Sequence, residues 1–346
     1  MMRILVKNND FHIKKITLII FSLVLVLIAH RVTEANSSPN NKQLTEMVGK
    51  AKDLIDEYNG QGNTLYEANE LLTKATEVDS TFAPIYIEKA RLTLYDGHIV
   101  SYEFTGGTLE KAESLLKKAV ELDARDSRAY VIFGHVNRLM GKYDEAFQSL
   151  TKATELKSKD PWLLNNFGAY YESLKQIDKA KEYYLRVVKM GSGKNAQQRS
   201  AYIDAALKLQ WFAALKDDNK SVFKYAELAT KAAKPTDAWT WGNAGGVLLV
   251  QGYFDETENY ERKALSIMNF GVARETLSFA LYGKWAKAVS EGHPDKGESF
   301  FQEAYKLNPD LDSVISRFSS SVAIMKNYVP ILLDRKFKLI SSNSGS

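Results

Sequence analysis

Cysteine is absent from the 346 residues. That absence removes disulfides, thiolate metal sites, a cysteine nucleophile and a lipid-modified N-terminal cysteine together. A chain without thiols is at home in an oxidising compartment. Proline is scarce, at seven residues, and the abundant Ala, Leu, Lys and Glu then favour helix throughout. Histidine is scarce too: His12, His30, His98, His135 and His293 show neither H-x-x-x-H nor H-E-x-x-H spacing, so no metal site is predicted. No G-x-S-x-G nucleophile elbow occurs. Glu110, Glu113 and Glu121 interleave with Lys111, Lys117 and Lys118, the pattern of a solvated helix face and not of paired catalytic carboxylates. The sequence therefore predicts no enzyme and no cofactor.

A strong charge of one sign is also missing. Five of the 46 basic and two of the 42 acidic residues lie within residues 1–35, which leaves 41 against 40 in the rest. A nearly neutral, interspersed surface argues against nucleic acid, which demands a basic stripe, and against a polybasic membrane-surface protein. One long apolar run stands out. Ile16 to Ala29 follows Lys14 and Lys15, with small and polar residues after it from Ala35 to Asn41. Its length suits a signal-peptide core better than a membrane span. The expected organisation is a signal peptide or anchor at 1–35 and a polar linker at 36–41. Residues 36–346 are then expected outside the cytoplasm, most simply in a bacterial periplasm, with membrane contact only through an uncleaved first helix.

The remainder repeats. Ala112, Ala146 and Ala180 are spaced by 34 residues, and Leu116, Leu150 and Tyr184 keep that register, as do Ala119, Ala153 and Val187. Phe133-Gly134 recurs as Phe167-Gly168. Offsets of four and seven from each alanine place these residues on one helical face. Small residues at Gly134 and Ala146 let paired helices approach closely. One such hairpin cannot bury its own face, so neighbours must stack.

The pattern resembles the tetratricopeptide-repeat (TPR) family over nearly the whole chain after residue 41. Arg128–Leu156 carries Tyr130, Phe133, Gly134, Gly141, Tyr143, Ala146, Leu150 and Ala153, and Trp162–Met190 fits almost as well. Trp241, Gly245, Gly252, Phe254 and Ala264 match further on, although Thr257 and Glu261 replace the expected alanine and aromatic. Phe301, Ala304, Leu307 and Pro309 close a later unit, while residues 194–234 read as helical but diverged. The resemblance implies an all-α, right-handed superhelical solenoid of antiparallel helix pairs. About seven pairs are expected over 42–326, ending in a capping helix at 312–326, with a tail at 327–346. Tyr95–Thr108 reads as an insertion in a turn, either a surface loop or a gripping loop.

What the family implies about function is a peptide-binding groove built from the first helix of each pair. Transferring its groove positions names Arg91, Arg128, His135 and Arg138; then Trp162, Asn165, Asn166, Ala169 and Glu172; then Trp239, Asn243, Gly246 and Leu249. The asparagine amides would pair with a ligand backbone and the tryptophans would anchor it. The carboxylate clamp of chaperone-binding relatives is incomplete here, with Val131 at the lysine position and His135 at the asparagine position. Leu164–Tyr170 (LNNFGAY) locally resembles the pilotins that assist pilus secretins. The expected function is a non-catalytic protein-binding scaffold or adaptor supporting envelope assembly or export, with a protein or peptide in the concave groove. The alternative is glycan binding in polysaccharide secretion, suggested by the tryptophans. Gly191-Ser192-Gly193-Lys194 ends like a phosphate loop, but Val188 and Asn195 break the motif, leaving a helix-terminating linker. In Trp241-Gly242-Asn243-Ala244-Gly245-Gly246 the glycines are expected to serve close packing or groove lining.

Overall fold

The computed structural model describes residues 39–343 apart from 61, 101, 102 and 322. Residues 1–35, expected as a signal or anchor, lie outside the described residues. Among the described residues no helix is long and apolar enough to cross a membrane. The chain divides into two compact units, with the boundary between Arg125 and Asp126.

The first unit holds α1 (Pro39–Glu57), α2 (Thr64–Val78), α3 (Ala83–Gly97) and α4 (Thr108–Leu122). Helix α1 pairs with α2 and α3 with α4, while α3 also packs on α1 and α2. Leu44, Ala51, Ile55, Leu72 and Ile85 form the core between them. The insertion is more ordered than a plain loop. Helix α3 runs on to Gly97, and β1 (His98–Val100) pairs antiparallel with β2 (Glu103–Phe104). β-Branched and aromatic residues favour that extended pairing. The Thr105 amide donates to the Gly97 carbonyl at 2.8 Å and closes the hairpin's base.

The second unit stacks five helix pairs: α5 (Ser127–Leu139) with α6 (Tyr143–Glu155), α7 (Trp162–Ser173) with α8 (Ile177–Met190), α9 (Ala196–Ala214) with α10 (Asn219–Ala232), α11 (Ala238–Val250) with α12 (Phe254–Ile267), and α13 (Gly271–Ser290) with α14 (Pro294–Leu307). The first helix of each pair touches the first helix of the next. Asp126, Asn195, Asp218 and Asp237 start α5, α9, α10 and α11, each accepting an amide proton from the first helical turn. Every pair turns through a left-handed residue: Gly141, Lys175, Asp217, Gly252 and Gly292. The amide after that residue bonds back five residues, as from Lys142 to Asn137 and from Gln176 to Tyr171, the Schellman closure of a helix end.

In three of these pairs, a glycine on the first helix receives a side chain from the second. A β-carbon at Gly134 would lie 2.6 Å from Leu150, and one at Gly168 would lie 2.7 Å from the Tyr184 ring. At Gly245 the intruder is Glu261, 2.6 Å from the same imagined atom. Gly242 and Gly245 thus serve packing, whereas nothing lies within 4 Å of a β-carbon at Gly246. Glu261 is fully buried. Neither of its oxygens meets a hydrogen-bond partner, and burial pushes its carboxyl up to about 9.

The C-terminus departs from expectation. Helix α15 (Leu311–Ser319) ends early, a short α16 (Ala323–Lys326) follows, and the stretch expected as a tail forms α17 (Val329–Asn343). Pro330 sits in the first turn of α17, where its missing N–H costs nothing. Tyr328 and Leu332 are buried in the core with Trp285, Phe301 and Phe318, and the Arg335 guanidinium lies 4.2 Å from the centre of the Phe301 ring. The cap of the second unit is therefore three helices and extends to residue 343.

Two outcomes follow from this packing. Gly168→Ala is expected to destabilise the protein by about 1–3 kcal/mol in urea unfolding, because the Tyr184 ring must move, whereas Gly246→Ala gains up to about 1 kcal/mol from helix propensity; equal effects would deny the contact. For Glu261, the folded carboxyl holds its proton between the unfolded value near 4.5 and about 9. Stability from this group is therefore complete below the lower value and falls as pH rises, by about 1.4 kcal/mol per pH unit. The melting temperature of Glu261→Gln should accordingly fall less than that of the wild type between pH 5 and 9.

Candidate functional site

The first helices of the second unit are tied together by polar side chains one repeat apart. The Asn166 amide of α7 donates to the Val131 carbonyl of α5 at 3.0 Å. Asn165 spends both amide protons on α9, on the Ala201 carbonyl at 2.8 Å and on Asp204 at 2.9 Å. Gln210 of α9 donates to the Ala244 carbonyl of α11 at 3.0 Å, and Gln251, just after α11, returns a bond to the Ala214 carbonyl of α9 at 3.0 Å. A helix carbonyl has a second lone pair, so each of these bonds adds to the helical one without displacing it.

Charge gathers on the same side. Lys208 of α9 meets Glu172 of α7 at 3.0 Å, and the Tyr184 hydroxyl donates to Glu172 at 3.0 Å. Arg138 is buried and reaches the Ser173 hydroxyl at 3.4 Å. Burial pushes the neighbouring His135 down to about 3, with the Arg138 charge adding to the shift and a hydrogen bond with Asn166 opposing it. His135 is thus a neutral imidazole throughout the physiological range. Burial raises the Asp204 carboxyl, against the pull of Lys208 and with a push from Glu172. Arg128 lies 3.6 Å from Asp160, whose carboxylate also accepts the Trp162 amide at 2.9 Å.

The structure therefore brings His135, Arg138, Asn165, Asn166 and Glu172 together, but as a network bonded to itself. The amides of Asn165 and Asn166, expected to pair with a ligand, are engaged inside the chain. Leu249, at 2% exposure, belongs to the core. Arg91 lies in the first unit, where it links Glu88 on its own helix at 2.8 Å to Asp56 of α1. Burial pushes the Asp56 carboxyl up, and the Arg91 and Lys52 charges more than reverse that.

A second group is open to solvent. Asn243 is exposed, Trp239 is 40% exposed with its ring 4.5 Å from that of Phe270, and Gly246 leaves space above it. Trp211 of α9 and Leu215, just after its end, are 37% and 59% exposed. The divergence of residues 194–234 concealed them from the repeat alignment. The turn would have revealed them: 35 residues separate the left-handed Asp217 from Gly252, and the same step carries Asp204, Lys208, Trp211 and Leu215 to Trp239, Asn243, Gly246 and Val250. These residues occupy equivalent places on successive first helices, spaced so that they share one helical face.

The described residues are all-α apart from the small hairpin, and each unit is built of stacked antiparallel helix pairs. The family model for the tetratricopeptide repeat matches residues 127–160 and 163–190. No curated protein sequence matches the chain. Among solved structures, the Cut9–Hcn1 hetero-tetramer of APC/C contains a chain similar at TM-score 0.52 and 13% identity, over 90% of this chain and 52% of that one. PilF of Pseudomonas aeruginosa is similar at TM-score 0.46 and 15% identity, over 67% of this chain and 94% of that one. YrrB, a TPR protein with an unusual peptide-binding site, gives 0.34 and 23%, over 58% and 95%.

The amide ties make a measurable claim. Asn166→Ala should cost about 1–3 kcal/mol in chemical denaturation, since it deletes a buried donor and strips His135 of its partner. A variant as stable as the wild type would show that the bond to Val131 carries no load.

Proposed function

We propose that the chain is a non-catalytic TPR scaffold that binds a protein segment along the first-helix face of α9 and α11. The observation that carries this is the row Trp211, Leu215, Trp239 and Asn243: half-exposed indoles, an exposed leucine and an amide with no internal bond. Rings that keep one face in water while held by a rigid helix lose little entropy on binding, which is why tryptophans anchor interfaces. The Asn243 amide supplies a donor and an acceptor to an extended backbone. Stacked repeats offer such a surface ready-made. Arg128, His135, Arg138, Asn165, Asn166 and Glu172 serve that face by holding α5, α7 and α9 in register, and Trp162 packs beside them.

The location proposed is outside the cytoplasm, in support of an envelope assembly or export system. It rests on the apolar run Ile16–Ala29 with its basic flank and on the pilotin-like stretch Leu164–Tyr170.

Crosslinking in cells followed by affinity capture and mass spectrometry tests the binding face. A partner held by the wild type and by Lys152→Ala, an exposed control, should be lost from the double variant Trp211→Ala/Asn243→Ala, whose melting temperature stays within a few degrees of wild type. Retention by the double variant would move the site elsewhere. Indole fluorescence that responds to oligosaccharides, with no protein captured, would favour the glycan alternative that Trp211 and Trp239 also permit.

A further inference from the structure

The first unit contains a pocket that the repeat resemblance does not assign. Its volume is about 550 Å³, and it lies between α2, α3 and α4. Leu65, Leu92 and Leu115 supply apolar wall, and Lys89 and Lys111 bring two ammonium groups to it. Lys89 and Arg91 are two residues apart on α3, so they point to nearly opposite sides of the helix. The pocket is therefore separate from the Asp56–Arg91–Glu88 cluster and from the face on which a TPR groove is sought.

The two lysines are poorly neutralised. The Lys89 ammonium is held by the Thr76 hydroxyl, 2.7 Å away, which fixes its position and leaves two of its protons to donate. Burial, and then the charge of Lys111, depress its basicity, so the two cations are close enough to repel. Among the described residues Lys111 has no ion pair, and Asp96, which also lines the pocket, forms none with either lysine. Two cations against one carboxylate leave the pocket positive. Folding gains nothing from holding like charges together beside an apolar wall, and a bound anion would reverse that penalty. Tyr66, 67% exposed, stands at the pocket as an aromatic surface for a flat ligand.

We propose that this pocket binds a small organic anion, with its acid head between Lys89 and Lys111 and its apolar body against Leu65, Leu92 and Leu115. Both parts of the ligand are required. The lysines select a carboxylate or phosphate, and the three leucines favour a molecule with hydrocarbon attached over a bare inorganic ion.

Isothermal titration calorimetry on the full chain provides the test, with phenyl phosphate as the probe, inorganic phosphate as the anion without a body, and benzyl alcohol as the body without a charge. Phenyl phosphate should bind at least tenfold more tightly than either control. Lys111→Gln, at an exposed position with no partner to lose, should weaken it about fivefold. Asp96→Asn should tighten it by a similar factor, a gain that damage to the fold would not produce. Lys152→Gln in the second unit should leave it unchanged. The proposal is overturned by the absence of binding at millimolar probe, by equal affinity for inorganic phosphate, or by affinities that ignore both Lys111→Gln and Asp96→Asn.

Discussion

The second unit depends on hydrogen bonds that cross from one first helix to the next. Helix pairs of this kind close their own seams with alanine, glycine and leucine, and those contacts say little about how one pair is set against its neighbour. Apolar surfaces slide; a donor that must find a carbonyl does not. Asn166 to Val131, Asn165 to Ala201, Gln210 to Ala244 and Gln251 to Ala214 each specify a rotation and a translation between adjacent helices. Because the donors are amides and the acceptors are backbone, the ties carry no charge to desolvate. Asp56 and Arg91 make the corresponding link within the first unit with an ion pair, which needs the second carboxylate of Glu88 to satisfy a fork of five donors.

Inside three pairs of the second unit a different constraint rules. The second helix must place a side chain where the first has a glycine. Leucine, tyrosine and glutamate fill that place in turn, over Gly134, Gly168 and Gly245. Tyr184 extends through to Glu172 and so joins the seam to the polar network. Glu261 reaches no such partner, and burial favours the protonated form of its carboxyl. Its neighbour Thr257 returns its hydroxyl to the Tyr253 carbonyl at 2.8 Å. The pair α11–α12 is thus the one where polar groups replace the alanine and the aromatic of its siblings.

Much of this was legible in the sequence because periodicity at 34 residues is written, in the units that keep it, in small residues at the helix contacts. Gly134, Ala146, Gly168 and Ala180 announce both the helices and their pairing. Other features were hidden for physical reasons. Helix α9 begins early, so an alignment counted forward from the preceding unit loses register, and Trp211 and Leu215 vanish into divergence; counted back from the turn at Asp217 they return. The last helix was masked by Pro330, which reads as a breaker but occupies a helix's first turn. Fates of polar side chains were the least legible. Nothing in the letters distinguishes Asn166, whose amide is bonded inward, from Asn243, whose amide is open, since both hold the same repeat position.

That last contrast explains where binding capacity remains. Between α5, α7 and α9 the ties are made by residues at the ligand-facing positions themselves, so Asn165, Asn166 and Glu172 are consumed in holding the helices. Between α9 and α11 the same work passes to Gln210 and Gln251, which stand at other positions on their helices. Trp211 and Asn243 are thereby released from any structural bond, and Gly246 opens the floor beside them. A repeat array that must both hold its register and bind a ligand has one set of side chains per helix for two tasks. Moving the ties off the ligand-facing positions at one junction frees that junction for recognition, at no loss of order, because Gln210 and Gln251 still hold it.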